Sequence, residues 1–405
     1  METSSFKKKV CAKIQDIKCK YHYYLLFLVC FTLPMYMRLN NIILGLLLIL
    51  SLISGISKKH KQRPNFLKAY SPVLAFFALA VIASSIGENP SFFKSLERYW
   101  SFILIPLAFW ISNTNYLKLR RYAFYGLIAG CISTLLVCYV NAIYELIIYQ
   151  EPTSYFFKWR HLSHRFTEVA DTHPAYLGLF ICSSTYYILF QLKDANTKSQ
   201  VAIISFFFLG MFQLSARLAL ATFLLTLLTY AIYYFRRNLK YIISGIILVS
   251  LSVLVFISQG SEYFQERLFS LKSVTEDTRF RRLEASYDVF RKKPILGVGF
   301  ANIDQQRTRK YKEKGFQTAA EKGYNAHNQF FEYLSINGII GGLTYLGAFI
   351  YLFRVAFVEK HYLFMFILIT FFIANLTESM LVRIKGIEYF SIFVSLFLIN
   401  RKTRT

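Results

Sequence analysis

The chain has 405 residues, of which 55% are hydrophobic and 18% aromatic, and its mean hydropathy is +0.39. Charged residues make up only 17%, less than is usual for a water-soluble protein. The formal net charge of +25 does not indicate nucleic-acid binding, because the basic residues stand in short clusters between apolar runs. These features predict an integral membrane protein.

Twelve apolar runs follow one another along the chain. A helix needs about 20 residues to cross a bilayer, so the shorter runs must extend into their flanks. We therefore predict an all-α polytopic membrane protein with about 12 transmembrane helices: nine in residues 1–259 and three, helices 10–12, in residues 327–405. The runs lie at about 23–37, 41–56, 71–86, 99–112, 122–149, 175–192, 199–213, 218–235, 241–259, 338–357, 362–377 and 387–400.

The distribution of Lys and Arg predicts the orientation in the membrane. With the N-terminus placed in the cytoplasm, the cytoplasmic segments hold 24 Lys and Arg, whereas the short outer loops hold nine. Short cytoplasmic loops are enriched in basic residues, so both termini are expected inside. The connection 260–326 then forms a large, partly helical periplasmic loop of 67 residues.

Arg217 opens one apolar run at its outer end, in the stretch "QLSARLALATFLLTL". A guanidinium at this depth is costly unless an anion meets it or the side chain reaches the headgroup layer. The functional alternative is a phosphate ligand, because the guanidinium presents a planar fork of donors. The residue pattern leaves both alternatives open.

The loop contains one segment with helical periodicity, "DTRFRRLEASYDVFRKKPILGVGF". Arg279 and Arg282 are three residues apart and should share a face, while Arg281 should point elsewhere. Pro294 should end the helix before the turn "GVG". The segment also carries an apolar stripe of helical period, whose members are Phe280, Leu283, Tyr287 and Phe290.

His327 and Asn328 stand at the outer end of the tenth predicted span, with Asn325 as the expected helix cap. A histidine here can be an ordinary structural residue, or it can accept a proton from a sugar hydroxyl. The glycines that follow, Gly338, Gly341 and Gly342, predict close helix packing.

These residues carry a family resemblance. His327-Asn328, nine intervening residues and Gly338-x-x-Gly341 resemble the periplasmic histidine motif of bacterial O-antigen ligases. "SARLAL" is similar to the family's Ser/Thr-x-Arg segment, and "TRFRRLEASYDVFRKKPILGVG" to its loop helix with a Pro-(apolar)-Gly-x-Gly turn. The motifs cover about residues 200–400, and the first half resembles the family only in hydropathy.

The resemblance implies a metal-independent glycosyltransferase of lipopolysaccharide biosynthesis in the bacterial inner membrane, with a periplasmic active site. The donor would be an undecaprenyl-pyrophosphate-linked glycan and the acceptor lipid A–core oligosaccharide. By the same resemblance Arg217 and Arg279 hold the donor pyrophosphate, and His327 is the base or orients the acceptor hydroxyl. Membrane lipids are the other expected partners, and neither a metal, a cofactor nor nucleic acid is expected.

Other functions remain open from the sequence. O-antigen polymerases and protein oligosaccharyltransferases share the superfamily pattern and the lipid-linked donor. A transporter without chemistry is less favoured, since no inverted repeat or matching pair of broken spans is evident. Supporting roles are possible for Arg282, Asn328, Glu378 and Arg383, although the last two, with Glu388, also fit a solvated outer loop. The histidines of the 151–174 segment, among them His164 and His173, are expected to belong to a hydrophilic loop.

Overall fold

The computed structural model describes residues 20–56, 65–87, 92–112, 115–192, 196–236 and 278–399, together with the single positions 240, 243 and 250. Throughout these ranges the regular structure is helical, and they contain no β-strand. Most of the ninth predicted span, the first part of the large loop and both chain ends lie outside the described residues.

The described residues between positions 20 and 236 form ten helices, and the 150–173 segment adds short 3₁₀ turns at Thr153–Phe157, Trp159–His161 and Glu168–Ala170. The helices are α1 (20–32), α2 (Met37–Ile56), α3 (Phe66–Ser85), α4 (Phe92–Leu96), α5 (Ser101–Ser112), α6 (Tyr116–Ile148), α7 (Ser163–Thr167), α8 (Pro174–Gln191), α9 (Thr197–Leu214) and α10 (Arg217–Phe235).

Residues 278–399 form six further helices. Three belong to the large loop: α11 (Thr278–Lys292), α12 (Gly299–Glu313) and α13 (Gln317–Lys322). The other three follow it: α14 (Gln329–Val358), α15 (Tyr362–Asn375) and α16 (Ile384–Leu398).

Six described helices are long and apolar enough to cross a membrane, namely α2, α3, α6, α9, α10 and α14. The helices α5 and α15 are apolar but shorter. The all-helical membrane protein predicted from the sequence is thus confirmed in its class, whereas the count of about twelve spans and the periplasmic placement of the loop stay predictions.

Aromatic side chains form much of the core between these helices. Phe76 of α3 packs against Phe102 of α5, Tyr333 of α14 and Phe390 of α16, with ring centroids 5.4–5.8 Å apart. Such rings bury large apolar areas and stack edge-to-face or offset. The core therefore joins helices of the first and second halves of the chain, including the helix that follows His327.

The helix α14 consists of two arms. Its backbone leaves helical geometry at Gly338 (φ 65°, ψ −157°), which separates a short arm, residues 329–337, from a long arm, residues 339–358. The turn after α11 packs into this break, where the N–H of Val298 donates to the carbonyl of Ser335 at 3.2 Å. The break fixes the loop against the segment that carries His327.

The structure shows which side of α11 packs against protein. The buried residues of α11 are Ala285, Ser286 and Val289, whereas Phe280 and Tyr287 of the apolar stripe are exposed. Periodicity identifies an apolar face but not whether protein or lipid covers it. Glu388 does not lie in the last outer loop; it is a fully buried residue of α16.

Candidate active site

A cavity of about 530 Å³ lies where the large loop meets the ends of α8, α10 and α15. Its polar wall contains most of the charged and titratable residues singled out in the sequence. The lining polar side chains are Ser163, His164, His173, Ser215, Arg217, Thr222, Arg279, Arg282, Tyr324, His327, Thr370, Thr377 and Glu378.

Arg217 reaches the cavity because α9 and α10 are joined by only two residues. α9 ends at Leu214, Ser215 adopts a left-handed conformation (φ 48°), and α10 begins at Arg217 itself. Ala216 occupies the N-cap position and makes no side-chain capping hydrogen bond. The first turn of α10 therefore lines the cavity with its positive end as well as with the Arg217 side chain.

The loop helix α11 contributes two further guanidinium groups. Arg279 and Arg282 line the same cavity, as their spacing predicts, and Arg281 is not among the lining residues. The guanidinium carbon of Arg282 lies 4.4 Å from the ring centroid of Tyr324, a cation–π contact. The helix α12 holds Tyr324 in place, because the hydroxyl of Tyr311 in α12 donates a hydrogen bond to the Tyr324 carbonyl at 3.1 Å.

His327 stands just before α14 in a left-handed backbone conformation (φ 50°). The side-chain oxygen of Asn325 accepts a hydrogen bond from the His327 N–H at 3.0 Å and holds this turn. Non-glycine residues with positive φ are uncommon and concentrate at functional sites. The conformation turns the imidazole toward the cavity instead of along the helix.

Glu378, in the connection after α15, is the partner of His327. Both of its carboxylate oxygens lie 3.2 Å from Nδ1 of His327. Burial raises the pKa of Glu378, but the hydrogen bond to His327 and the nearby His173, His327 and Arg279 outweigh it and bring the pKa below its usual value. The carboxylate is therefore ionised at neutral pH and requires a hydrogen on Nδ1, which leaves Nε2 of neutral His327 as a proton acceptor.

His173 approaches the same carboxylate from the other side. Its Nδ1 accepts the N–H of Ala175 at 3.2 Å, so in the neutral ring the hydrogen is on Nε2, 3.7 Å from Oε1 of Glu378. Burial lowers the pKa of His173 to about 4, so the ring is neutral at physiological pH. His164 packs edge-to-face on His173, with ring centroids 4.2 Å apart. In the sequence, His173 was marked by the His-Pro-x-Tyr segment at 173–176, and both histidines were assigned to a hydrophilic loop.

Asn328 has a structural position instead of a place in the cavity wall. It is the N-cap of α14, and its side-chain oxygen accepts hydrogen bonds from the N–H groups of Phe330 and Phe331 at 3.0 and 3.1 Å. Its amide also donates to the carbonyl of Leu376 at 3.2 Å. The expectation that Asn325 caps this helix was therefore wrong.

Arg383 is likewise outside the cavity wall. It occupies the N-cap position of α16 and its side chain is exposed. Of the supporting residues considered from the sequence, Arg282 and Glu378 line the cavity, and Asn328 and Arg383 do not.

A buried ion pair supports the turn that holds His327. Nη2 of Arg307 in α12 lies 3.1 Å from Oε2 of Glu332 in α14, and both side chains are almost completely buried. The same carboxylate oxygen accepts the N–H of Ala326, the residue before His327, at 2.8 Å. The loop and the histidine segment are therefore joined through one carboxylate.

Among the described residues, no group of three or more His, Cys, Asp or Glu side chains is arranged to hold a metal ion. The cavity instead combines three guanidinium groups, a helix N-terminus and a histidine–carboxylate pair. This combination suits the binding of a phosphate-bearing ligand beside a proton acceptor.

Comparison with known families agrees with this chemistry. Residues 201–346 match the family model described as O-antigen ligase. The resemblance to the O-antigen ligase superfamily is confirmed. The matched part contains Arg217, Arg279, Arg282 and His327, whereas Glu378 and His173 lie outside it. No curated protein matches the chain.

Proposed function

We propose that the chain is an O-antigen ligase that transfers O-antigen glycan from undecaprenyl pyrophosphate to lipid A–core oligosaccharide at the periplasmic face of the bacterial inner membrane. The observation that carries the proposal is that Arg217, Arg279 and His327 line one and the same cavity. These are the residues to which the family resemblance assigns donor binding and acceptor activation.

The proposed reaction needs no group beyond the two substrates and these side chains. The oxygen of an acceptor hydroxyl forms a bond to the anomeric carbon of the donor glycan. The bond between that carbon and the pyrophosphate oxygen breaks, and its electron pair leaves with undecaprenyl pyrophosphate. Nε2 of His327 takes the hydroxyl proton, or orients the hydroxyl as it attacks.

The arginines act on the leaving group. Negative charge grows on the bridging oxygen as the bond breaks, so fixed positive groups at that oxygen stabilise the transition state. Arg217 and Arg279 can each offer a fork of donors to phosphate oxygens, and the first turn of α10 adds its backbone N–H groups. Arg282, which is packed on Tyr324, adds a third positive charge.

Glu378 acts through His327. Its carboxylate at 3.2 Å from Nδ1 fixes the ring tautomer and stabilises the imidazolium that forms when Nε2 takes a proton. Glu378 is therefore proposed as a positioning residue. His173 points its own Nε2–H toward the same carboxylate and helps to hold it.

The test is glycan transfer by the purified chain, with lipid-linked donor and rough lipopolysaccharide as acceptor. Losing general-base help typically costs a hundredfold to ten-thousandfold in rate, so His327→Ala should lose turnover by about this factor while donor binding survives through the arginines. Wild-type turnover would remove His327 from the mechanism, and loss of donor binding would assign it to the pyrophosphate site.

His361 offers a matched control. Its Nε2 also faces a carboxylate, that of Glu359 at 3.3 Å, but it precedes α15 at the end opposite to Glu378 and does not line the cavity. His361→Ala should therefore transfer glycan at the wild-type rate. An equal loss in both variants would indicate a general effect of removing a histidine.

The acceptor distinguishes ligase from the related functions. Polymerases and protein oligosaccharyltransferases use the same class of donor, so the cavity is compatible with them. Deletion of the gene followed by lipopolysaccharide gels separates the cases: loss of all capped species with accumulation of lipid-linked polymer indicates a ligase. Single-repeat caps indicate a polymerase, and unchanged lipopolysaccharide would contradict both.

A further inference from the structure

The loop helix α11 presents an apolar stripe to the outside of the protein. Phe280 and Tyr287 are 52% and 45% exposed, and in the turn after the helix Ile295 and Leu296 are 66% and 47% exposed. The half-buried Leu283 and Phe290 stand between them at helical spacing. A stripe of this size is unusual on a surface that faces only water.

The other faces of α11 already have protein partners. Ala285, Ser286 and Val289 are completely buried. On another flank, Nζ of Lys314 pairs with Glu284 and Asp288 at 2.8 and 2.9 Å. The exposed stripe is therefore additional to the side that packs against the protein.

The stripe is continuous with the outer surface of the long arm of α14. The N–H of Ile339, the first residue of that arm, donates to the carbonyl of Pro294, next to Ile295. Beyond this point Ile339, Leu343 and Ile350 are exposed on one side of the arm. Residues 339–358 span about 30 Å at 1.5 Å per residue, the thickness of the hydrocarbon core, so this arm is long enough to cross that core with Pro294–Leu296 at one boundary.

Basic residues border the apolar turn. Arg291, Lys292 and Lys293 are all exposed immediately before Pro294, and Lys292 also donates to Gln306 at 2.9 Å. Apolar side chains that enter the acyl layer next to Lys and Arg at the headgroups are the composition of interfacial membrane helices. The positive charge complements anionic lipid headgroups.

We propose that residues 279–296 lie in the headgroup layer of the membrane that α14 crosses, with the apolar stripe against the acyl chains and Arg291 and Lys293 against anionic headgroups. The occupant of this surface is the bilayer itself. The contact does not depend on glycan transfer. This membrane contact also positions part of the cavity wall, because it holds Arg279 and Arg282 at the level where the phosphates of a membrane lipid lie.

The experiment measures the depth of a fluorophore on full-length protein in bilayers. Tyr287→Cys and Leu296→Cys are each labelled with an environment-sensitive dye in a Cys11→Ser, Cys19→Ser background; Cys30, Cys131, Cys138 and Cys182 are buried. We expect blue-shifted emission, with severalfold stronger quenching by lipids spin-labelled near the headgroup than by aqueous iodide.

Gln305→Cys, on the exposed side of α12 in the same loop, is the matched control and should be quenched mainly by iodide. If the dyes at 287 and 296 respond as the dye at 305 does, the surface faces water and the proposal is wrong. Protection from both quenchers would mean that protein covers the stripe, either a second copy or the preceding part of the loop, and would equally overturn it.

The charges are tested separately from the stripe. Spin-labelled lipids should quench the dye at position 296 more strongly in membranes that contain phosphatidylglycerol than in membranes of phosphatidylcholine alone. Arg291→Gln with Lys293→Gln should abolish this difference. If the difference persists in that variant, these two residues do not bind the anionic headgroups.

Discussion

Pro294 and Ile339 are joined by a backbone hydrogen bond of 2.7 Å, which ties the turn of the large loop to the break in α14. Two glycines make this approach possible. A Cβ on Gly297 would lie 2.3 Å from the carbonyl oxygen of Ile336, and one on Gly338 would lie 2.3 Å from that of Ile295. The glycine of the histidine motif and the glycine of the loop turn are therefore two sides of one contact.

Gly338→Ala should destabilise the protein strongly. The backbone at φ 65° and ψ −157° is accessible almost only to glycine, and the new Cβ would also collide with Ile295. Strain of this kind costs about 1–3 kcal/mol before any clash is counted. We expect a clear fall of the melting temperature in detergent. Gly347→Ala, in the same helix with nothing within 4 Å of the new Cβ, is the control and should leave the melting temperature nearly unchanged. Equal melting temperatures for the two variants would contradict the close contact between Gly338 and the loop turn.

Sequence reasoning singled out residues of the cavity but not the contacts that hold them. Arg217, Arg279 and His327 could be found because motif spacing marks them, and the structure brings all three to one cavity. Neither the partner of His327 nor the pairing of Gly297 with Gly338 could be found in this way. Glu378 is 51 residues from His327 along the chain, and only the packing of α14 against α15 makes them neighbours.

The side of α11 that packs against protein could not be predicted from the sequence either. A stripe such as Phe280 to Phe290 has the same spacing whether lipid or protein covers it. The smaller residues Ala285 and Ser286 face the protein because they allow helices to approach closely. Asn328 differs from Glu378 in the opposite way: the sequence motif marks Asn328, but in the structure it serves as a helix cap.

The arginine prediction concerns Arg217 and Arg279. Arg→Lys at either position keeps the charge but loses the fork of donors. Loss of one charge-assisted hydrogen bond costs about 1.5–3 kcal/mol, so transfer should fall roughly tenfold to a hundredfold. The measurement is the transfer rate together with donor affinity. Arg281→Ala, outside the cavity on the same helix, should be much milder; an essential Arg281 beside a dispensable Arg279 would contradict the assignment.

The pH prediction concerns Glu378. Its pKa lies below the usual value, so the carboxylate supports His327 above that value and this support is lost only as the pH falls through the lowered pKa. At pH 8, where the carboxylate is ionised, Glu378→Gln should therefore lower turnover by about a hundredfold or more. Wild-type turnover by this variant at pH 8 would mean that the carboxylate does not act through His327.

The orientation prediction rests on the excess of Lys and Arg in the segments assigned to the cytoplasm. A cysteine at Gln306, in α12, should be labelled by a membrane-impermeant maleimide added to intact spheroplasts. A cysteine at Thr403 should be labelled only after lysis. Labelling in the reverse order would put the cavity on the cytoplasmic side, where lipid A–core and the proposed donor would not meet in it.

The pair Arg307–Glu332 is predicted to position His327 through Ala326. Removing one member leaves a buried unpaired charge, so Glu332→Gln alone should cost about 3–5 kcal/mol of stability. Glu313→Gln, which breaks the exposed pair with Arg309 in the same loop, is the control and should leave the melting temperature nearly unchanged.

Two double variants separate stability from positioning. Arg307→Met with Glu332→Gln removes both charges but keeps an oxygen that can accept the Ala326 N–H, now 2.8 Å from Glu332. Arg307→Met with Glu332→Leu removes the charges and the acceptor together. Both should regain much of the stability, because apolar replacement of a whole buried ion pair is often neutral or stabilising. Only the first should keep substantial kcat, since the second leaves the turn before His327 without its anchor. Equal kcat in the two double variants, at matched melting temperatures, would show that the Glu332–Ala326 bond does not position the histidine.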